Sequence, residues 1–318
     1  MITRSLIRAR VVQEVYACGL NDTLSIPQAV KDLCKSFEDY YALYALLLDF
    51  IPTMTIYASE QIYEEKKKAK VMHVPFVEQR NFVENQYAKQ ILDNKELRSL
   101  VEKYHLSWSE HQNILATLYK EMVALEEYKT YQALDKPTYD ADKRIWRDIF
   151  HSVIMSNEAL WATLEDMEIE TDRQLWEDFL LDVVISVQKT ARRARRTDGK
   201  EMPLLPQFNT EADKVFATDL LQMCLENVRN YEQVLEKYYD SRWQKNVFYL
   251  DKTILLVAIT ELQHFADIAP SVTISEYVKI AKDFSTPNSY SFINGVLNDI
   301  ISQTDKASLI FKNIKNHV

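Results

Sequence analysis

Residues 249–300 read YLDKTILLVAITELQHFADIAPSVTISEYVKIAKDFSTPNSYSFINGVLNDI. Apolar side chains recur here at intervals of three and four, the period of a helix that turns one face to a core. The spacing predicts helices at about 247–266, 274–284 and 287–304. Thr273 and Glu276 have the T-x-x-E spacing of a capping box at the start of the second. Pro287 sits just inside the third, after Thr286 as its cap. There the amides of Asn288, Ser289 and Tyr290 are expected to point outward, unpaired, at the positive end of the helix dipole, a site fit for a phosphate. Gly295, inside that helix, costs about 1 kcal/mol relative to alanine, for which a close helix–helix approach is a sufficient reason.

The rest of the chain suits the same class. Of 318 residues, 47% are hydrophobic and 27% charged, enough for one large or two ordinary domains with a real core. Only three glycines occur, Gly19, Gly199 and Gly295. That excludes a Walker-type phosphate loop and a Rossmann fingerprint, which need several close together, and argues against a hairpin-rich β fold. The composition fits an all-α protein of fourteen or so helices. Three cysteines, Cys18, Cys34 and Cys224, form no C-x-x-C pair and no disulfide framework, as in a reducing cytosol. The opening MITRSLIRARVVQEVYACGL threads arginines among apolar residues, unlike a signal peptide. No stretch reaches about 18 uncharged apolar residues. The expectation is a soluble, cytoplasmic protein.

Helices are further expected at 4–20, at 27–50 ended or bent by Ile51-Pro52, at 53–70, as a pair across 82–135 broken near Ser107-Trp108-Ser109, and at 140–170, 171–196 and 211–240. The stretch TDGKEMPLLPQFNT (197–210) reads as a linker. DKRIWRDIF (142–150) and DKVFATDLL (213–221) are similar at an offset of 71, as a duplicated unit or as chance likeness between amphipathic helices.

Chemistry-bearing patterns are sparse. Glu102-x-x-His105, Glu261-x-x-His264 and Asp148-x-x-His151 have the i, i+3 spacing of helical metal ligands. With 47 acidic residues such matches arise by chance, and nothing marks the further ligands a site would need. No serine or cysteine sits in a nucleophile context. The expectation is a protein without catalytic activity, cofactor or metal.

Two basic patches remain. Arg4, Arg8 and Arg10 lie on the first helix, where guanidinium groups could bind phosphate or stack on unpaired bases, or stand as ordinary surface arginines. KTARRARR (189–196) places Lys189, Arg192, Arg193 and Arg196 on one helical face, as an auxiliary polyanion site or as cations that favour the negative end of the helix dipole. The net charge of −9 works against nucleic-acid binding by the chain as a whole.

The C-terminal blocks resemble the NusB family of transcription antitermination factors. That family has an acidic residue and Lys before an apolar helix ending in Glu-Leu, then Pro, a V-x-I-x-E helix through A-K-x-F, and F-V-N-G-V-L-D. The corresponding stretches are YLDKTILLVAITEL (249–262), PSVTISEYVKIAKDF (270–284) and NSYSFINGVLNDI (288–300), and RVVQEVYACGL (10–20) is similar to the family's first helix. Much of 21–205 has no counterpart in the short form, so the chain looks like the extended form of Bacteroidetes-type bacteria. The resemblance implies an N-terminal NusB-like helix at 1–20, an extended helical region at 21–205 and a C-terminal NusB-like domain at 206–318. It implies binding of boxA-like single-stranded RNA together with the ribosomal protein NusE, in the antitermination complex of RNA polymerase on ribosomal RNA operons. The implied RNA-side residues are Arg4, Arg8, Arg10, Tyr16, Asn288, Ser289 and Phe292; the implied partner-side residues are Tyr16, Asp251 and Glu261. Ser5 and Leu6 replace two of the family's arginines. The expectation is one wall on which Arg4, Arg8 and the Asn288 helix end converge. A helical protein-binding scaffold with little RNA affinity is the alternative, favoured by the missing arginines. A module preceding a ribosomal-RNA methyltransferase would need a downstream catalytic domain with a glycine-rich cofactor loop, and is not expected.

Overall fold

In the computed structural model the described residues are 1–21, 24–77, 79–155, 157–167, 173–195, 202–238 and 247–314, of which 165–166, 173–180 and 303–314 are described by backbone alone. They form thirteen α-helices and one π-helical turn. Two compact units result, Met1–Lys35 with Gln207–Val318, and Ser36–Pro206. The all-α expectation holds, with one isolated bridge, Ile2 to Phe208, supported by Ile2 N donating to Gln207 O at 2.8 Å.

The first unit contains α1 (Arg4–Leu20), α10 (Glu211–Leu235), α11 (Tyr249–His264), α12 (Pro270–Phe284) and α13 (Ser289–Ile314). α11 is its centre, packed on each of the other four. Every residue from Thr253 to Glu261 is buried, as expected of a helix that is apolar on all sides. Local signals set the ends. Thr3 Oγ1 accepts from Leu6 N to cap α1, and Thr210 with Asp213 forms a capping box on α10. α12 opens at Pro270, a first-turn proline, several residues before the expected start. Thr273 therefore lies within the helix, and its hydroxyl donates to Glu261 instead of capping.

In the second unit, α2 (Ile26–Met72) begins in the first unit and passes unbroken through Pro52. This corrects the expected division there. An interior proline costs about 3 kcal/mol, but Leu46, Leu47, Leu48, Phe50, Ile51 and Met54 are at most 1% exposed. Burial of one such side chain is worth about 1.5–3 kcal/mol, so packing carries the helix across. The same helix contains an 18-residue window apolar enough to cross a membrane by length and composition; 72% of it is buried inside the protein.

Around α2 lie α3 (Gln86–Leu92), α4 (Lys95–Lys103), α5 (Gln112–Ala124), α6 (Glu126–Gln132), α7 (Tyr139–Ile149), the π-turn Phe150–Ile154, α8 (Glu158–Asp166) and α9 (Arg173–Arg193). The span 82–135 thus holds four helices, not two. Phe50 meets Trp108, Trp146 and Phe150 edge-on, with ring centroids 5.4, 6.4 and 6.2 Å away. The described part of 197–210 is no free linker: Met202, Leu204 and Leu205 are buried. Asn94 Nδ2 donates to Met202 O, Tyr41 OH donates to Leu205 O, and Leu205 N donates to Tyr44 OH.

Candidate nucleic-acid and partner interface

α1 and α11 pack side by side in opposite directions, since Arg8 meets Glu261 while Tyr16 meets Tyr249. Arg8 donates from Nε to Glu261 Oε2 at 2.7 Å and from Nη2 to Oε1 at 2.9 Å. Glu261 also accepts from Thr273 Oγ1 at 2.7 Å and from Tyr277 OH at 3.1 Å. The two charged side chains are 3% and 0% exposed. Burial opposes the Arg8 charge, but the bonds to Glu261 outweigh it and raise the guanidinium above its ordinary pKa. Two expectations are therefore corrected: Arg8 does not face RNA and Glu261 does not face a partner. A buried charge must be paired, and each is the other's partner.

Arg4 is 36% exposed and donates from Nε to Asp213 Oδ1 at 2.8 Å, with Asp267 at 4.0 Å from Nη1. Its guanidinium lies 5.0 Å from the Phe216 ring centroid. Burial alone would raise the Asp213 carboxyl, but the bonds from Arg4 and Thr210 hold it below its usual range. Arg10 is 9% exposed and donates to Gln13 Oε1 at 3.0 Å. The N-terminal arginines are thus largely engaged within the fold.

At the other end of α11, Asp251 is 3% exposed and accepts from Ser289 Oγ at 2.7 Å and from Ser285 Oγ. Ser289 is 3% exposed as well, and its amide donates to Thr286 O. Asp251 and Ser289, expected on partner and RNA surfaces, instead clasp the α12–α13 turn to the start of α11. The tip of α13 already carries this carboxylate, which a phosphate would meet as a like charge; this corrects the expected phosphate site. Asp251 and Glu261 are ten residues apart on α11, about 15 Å at 1.5 Å per residue. Arg8 therefore stands at one end of α11 and Ser289 at the other, and the expected single wall does not form.

A surface groove of about 450 Å³ does join two of the expected residues. It is lined by Asn288, Ser291, Phe292, Gly295, Val296 and Asp299 of α13 and its approach, and by Tyr238 just after α10. Phe292 is half-buried, whereas Asn288 and Gly295 are exposed. Among the described residues a Cβ at Gly295 would meet nothing within 4 Å, and none of the described helices makes the expected close approach there. Near the paired ends of α1 and α11 is an apolar surface. The Tyr16 and Tyr249 ring centroids are 5.2 Å apart, and Leu20, Phe248 and Tyr249 are 66%, 58% and 39% exposed. Tyr249 passes over Gly19, where a Cβ would lie 1.4 Å from its hydroxyl. Leu20, Tyr238, Phe248 and Tyr249 are not among the expected site residues. The available signal is a glycine in the last turn of an amphipathic helix, followed at once by a leucine.

In the second unit Lys189, Arg192 and Arg193 are exposed on α9; Arg196 lies outside the described residues. Among the described residues no group of three or more His, Cys, Asp or Glu side chains could hold a metal. Glu261 is bound to Arg8, and His264 Nε2 lies 3.0 Å from Tyr231 OH.

The family model of the NusB family matches residues 171–302. The match thus includes α9, which falls within the 21–205 stretch, while α1 lies outside it. The chain is 30% identical over 137 residues to transcription antitermination protein NusB of Natranaerobius thermophilus, an alignment covering 37% of this chain and 99% of that protein. It is 31% identical over 121 residues to the protein of the same name from Salinibacter ruber, covering 36% and 76%. For that of Thermodesulfovibrio yellowstonii the identity is 37% over 90 residues, covering 28% and 60%. No solved structure matches the chain.

Proposed function

The chain belongs to the NusB family, and from that premise we propose that it serves in transcription antitermination by holding boxA-like single-stranded RNA in the α13 groove while a NusE-type ribosomal protein docks beside Tyr16. The observation that carries the reading is Gly295. An exposed glycine within a helix costs about 1 kcal/mol relative to alanine, and no neighbour among the described residues requires it. A ligand whose backbone must come close to the helix does require it. Phe292, one turn earlier on the same groove, offers a ring on which a base can stack. The Asn288 amide supplies a donor and an acceptor for a base edge. Asp299 repels phosphate at the far end, so bases and not phosphates face the helix.

The partner surface is the half-buried Tyr16 with the exposed Leu20, Phe248 and Tyr249, whose aromatic and aliphatic groups supply the apolar centre of a protein interface. The chain acts in the cytoplasm, where transcripts are made, and carries out no chemical step. The protein-only scaffold gains support from the engagement of Arg4, Arg8 and Arg10 within the fold.

A gel shift with boxA RNA, with and without purified NusE, tests the proposal. The expected result is a shift that NusE strengthens and that Phe292→Ala weakens by roughly 5- to 150-fold, since stacking on an aromatic side chain contributes about 1–3 kcal/mol per base. A NusE complex that leaves the RNA unshifted would establish the scaffold instead. Equal affinity of Phe292→Ala and wild type would remove the groove from the RNA path.

A further inference from the structure

α9 ends in a row of exposed cations. Lys189, Arg192 and Arg193 are exposed, while the side of the helix bearing Val187, Thr190, Ala191 and Ala194 is buried. Cations near a helix C-terminus ordinarily serve its unpaired carbonyls. Here that service is performed by other groups. Arg195 Nη1 donates to Arg192 O at 3.0 Å, to Ala194 O at 3.1 Å and to Arg193 O at 3.4 Å. Lys143 Nζ donates to Ala194 O at 3.1 Å, and Gln90 Nε2 to Arg195 O at 3.1 Å. Lys143 is itself neutralised by Asp140, 2.8 Å away. None of the ion pairs among the described residues involves Lys189, Arg192 or Arg193. The nearest described acidic side chain on α9, Asp182, lies two turns back from Lys189, about 10 Å along the axis. This is the more telling because acidic residues outnumber basic ones in Ser36–Pro206.

We infer that this face of α9 is a second RNA contact, binding the phosphate backbone without reading its sequence. The inference rests on the RNA reading above and adds a site in the second unit, apart from the α13 groove. Cations three and four residues apart on a helix are neighbours, about 5–6 Å from one another, so Lys189, Arg192 and Arg193 present one continuous patch of positive charge. Phosphate contacts of this kind give affinity and position but no base specificity. A protein partner is the poorer fit, because an interface needs an apolar centre. Leu181, more than two turns back from Lys189, is the one large apolar side chain of α9 exposed among those described.

The test is a fluorescence-anisotropy titration of the full chain with two labelled single-stranded RNAs of equal length, one containing boxA and one unrelated, across a series of salt concentrations. The variant is Lys189→Ala with Arg192→Ala and Arg193→Ala, all solvent-facing, with thermal melting as the check on folding. Both RNAs are expected to bind the variant about tenfold more weakly at low salt. The slope of log K against log salt is expected to fall by about 2, three contacts at about 0.7 each. The preference for boxA over the unrelated RNA stays unchanged. Equal affinity and slope in variant and wild type would overturn this site while leaving the groove intact. A wild type that binds neither RNA, with or without NusE, would overturn both readings. Polyglutamate that binds the wild type more tightly than either RNA does, and fails to bind the variant, would overturn RNA as the ligand of this face and assign it to an acidic protein segment.

Discussion

Arg8→Ala is expected to lower the stability of the folded chain by about 3–5 kcal/mol, the range for breaking a buried pair by removing one partner. Glu261 would remain fully buried with its charge, keeping only the bonds from Thr273 and Tyr277. Glu276, at 3.7 Å from Arg8 Nη1, would lose a neighbour as well. Removing both charges with Arg8→Ala and Glu261→Ala is expected to cost less than the sum of the two single changes, because the double variant strands no buried ion. Urea unfolding followed by far-ultraviolet circular dichroism gives the three values. A single variant within about 1 kcal/mol of wild type, well below the range for a broken buried pair, would mean that Arg8 is not buried as described. One practical consequence concerns binding measurements: loss of RNA affinity in an Arg8 variant would report on folding.

The second large effect is expected at Phe50. This ring is fully buried and meets Trp108, Trp146 and Phe150 edge-on. Phe50→Ala is expected to cost about 3–5 kcal/mol, from lost burial and from the cavity left where three aromatic rings cannot close up. The readout is specific, because two of the three neighbours are tryptophans. Their fluorescence is expected to shift to longer wavelength and the near-ultraviolet dichroism to weaken before the far-ultraviolet signal changes. Unaltered tryptophan emission together with an unaltered melting temperature would place the hub elsewhere.

What is legible in the sequence is whatever is local. The run TILLVAIT carries no polar face, which marks α11 as a buried central helix. Glycine scarcity and helical period together make the all-α class legible. Arg8 shows where such reading stops. Arginines at 4, 8 and 10 share one pattern whether they face water or a carboxylate, and the partner of Arg8 is 253 positions away in the chain. The same holds for Asp251, whose serines arrive from the turn after the next helix. Pro52 fails in the opposite direction: a strong local breaker is overridden by the apolar side chains on either side of it. Of the expected RNA-side residues, Asn288 and Phe292 share a groove because they are one turn apart. The residues across from them or beyond the helix, Tyr238 and Tyr249, carry no periodic mark.

Gly19 sets selection for robustness against selection for use. A methyl group there would raise helix propensity by about 1 kcal/mol, yet it would occupy the space of the Tyr249 hydroxyl and evict that phenol from its place beside Tyr16. In a directed-evolution experiment, heat challenge should enrich Gly19→Ala, whereas panning for ribosomal-protein capture should purge it. Sequencing the survivors of the two regimes would show which pressure has kept the position bare.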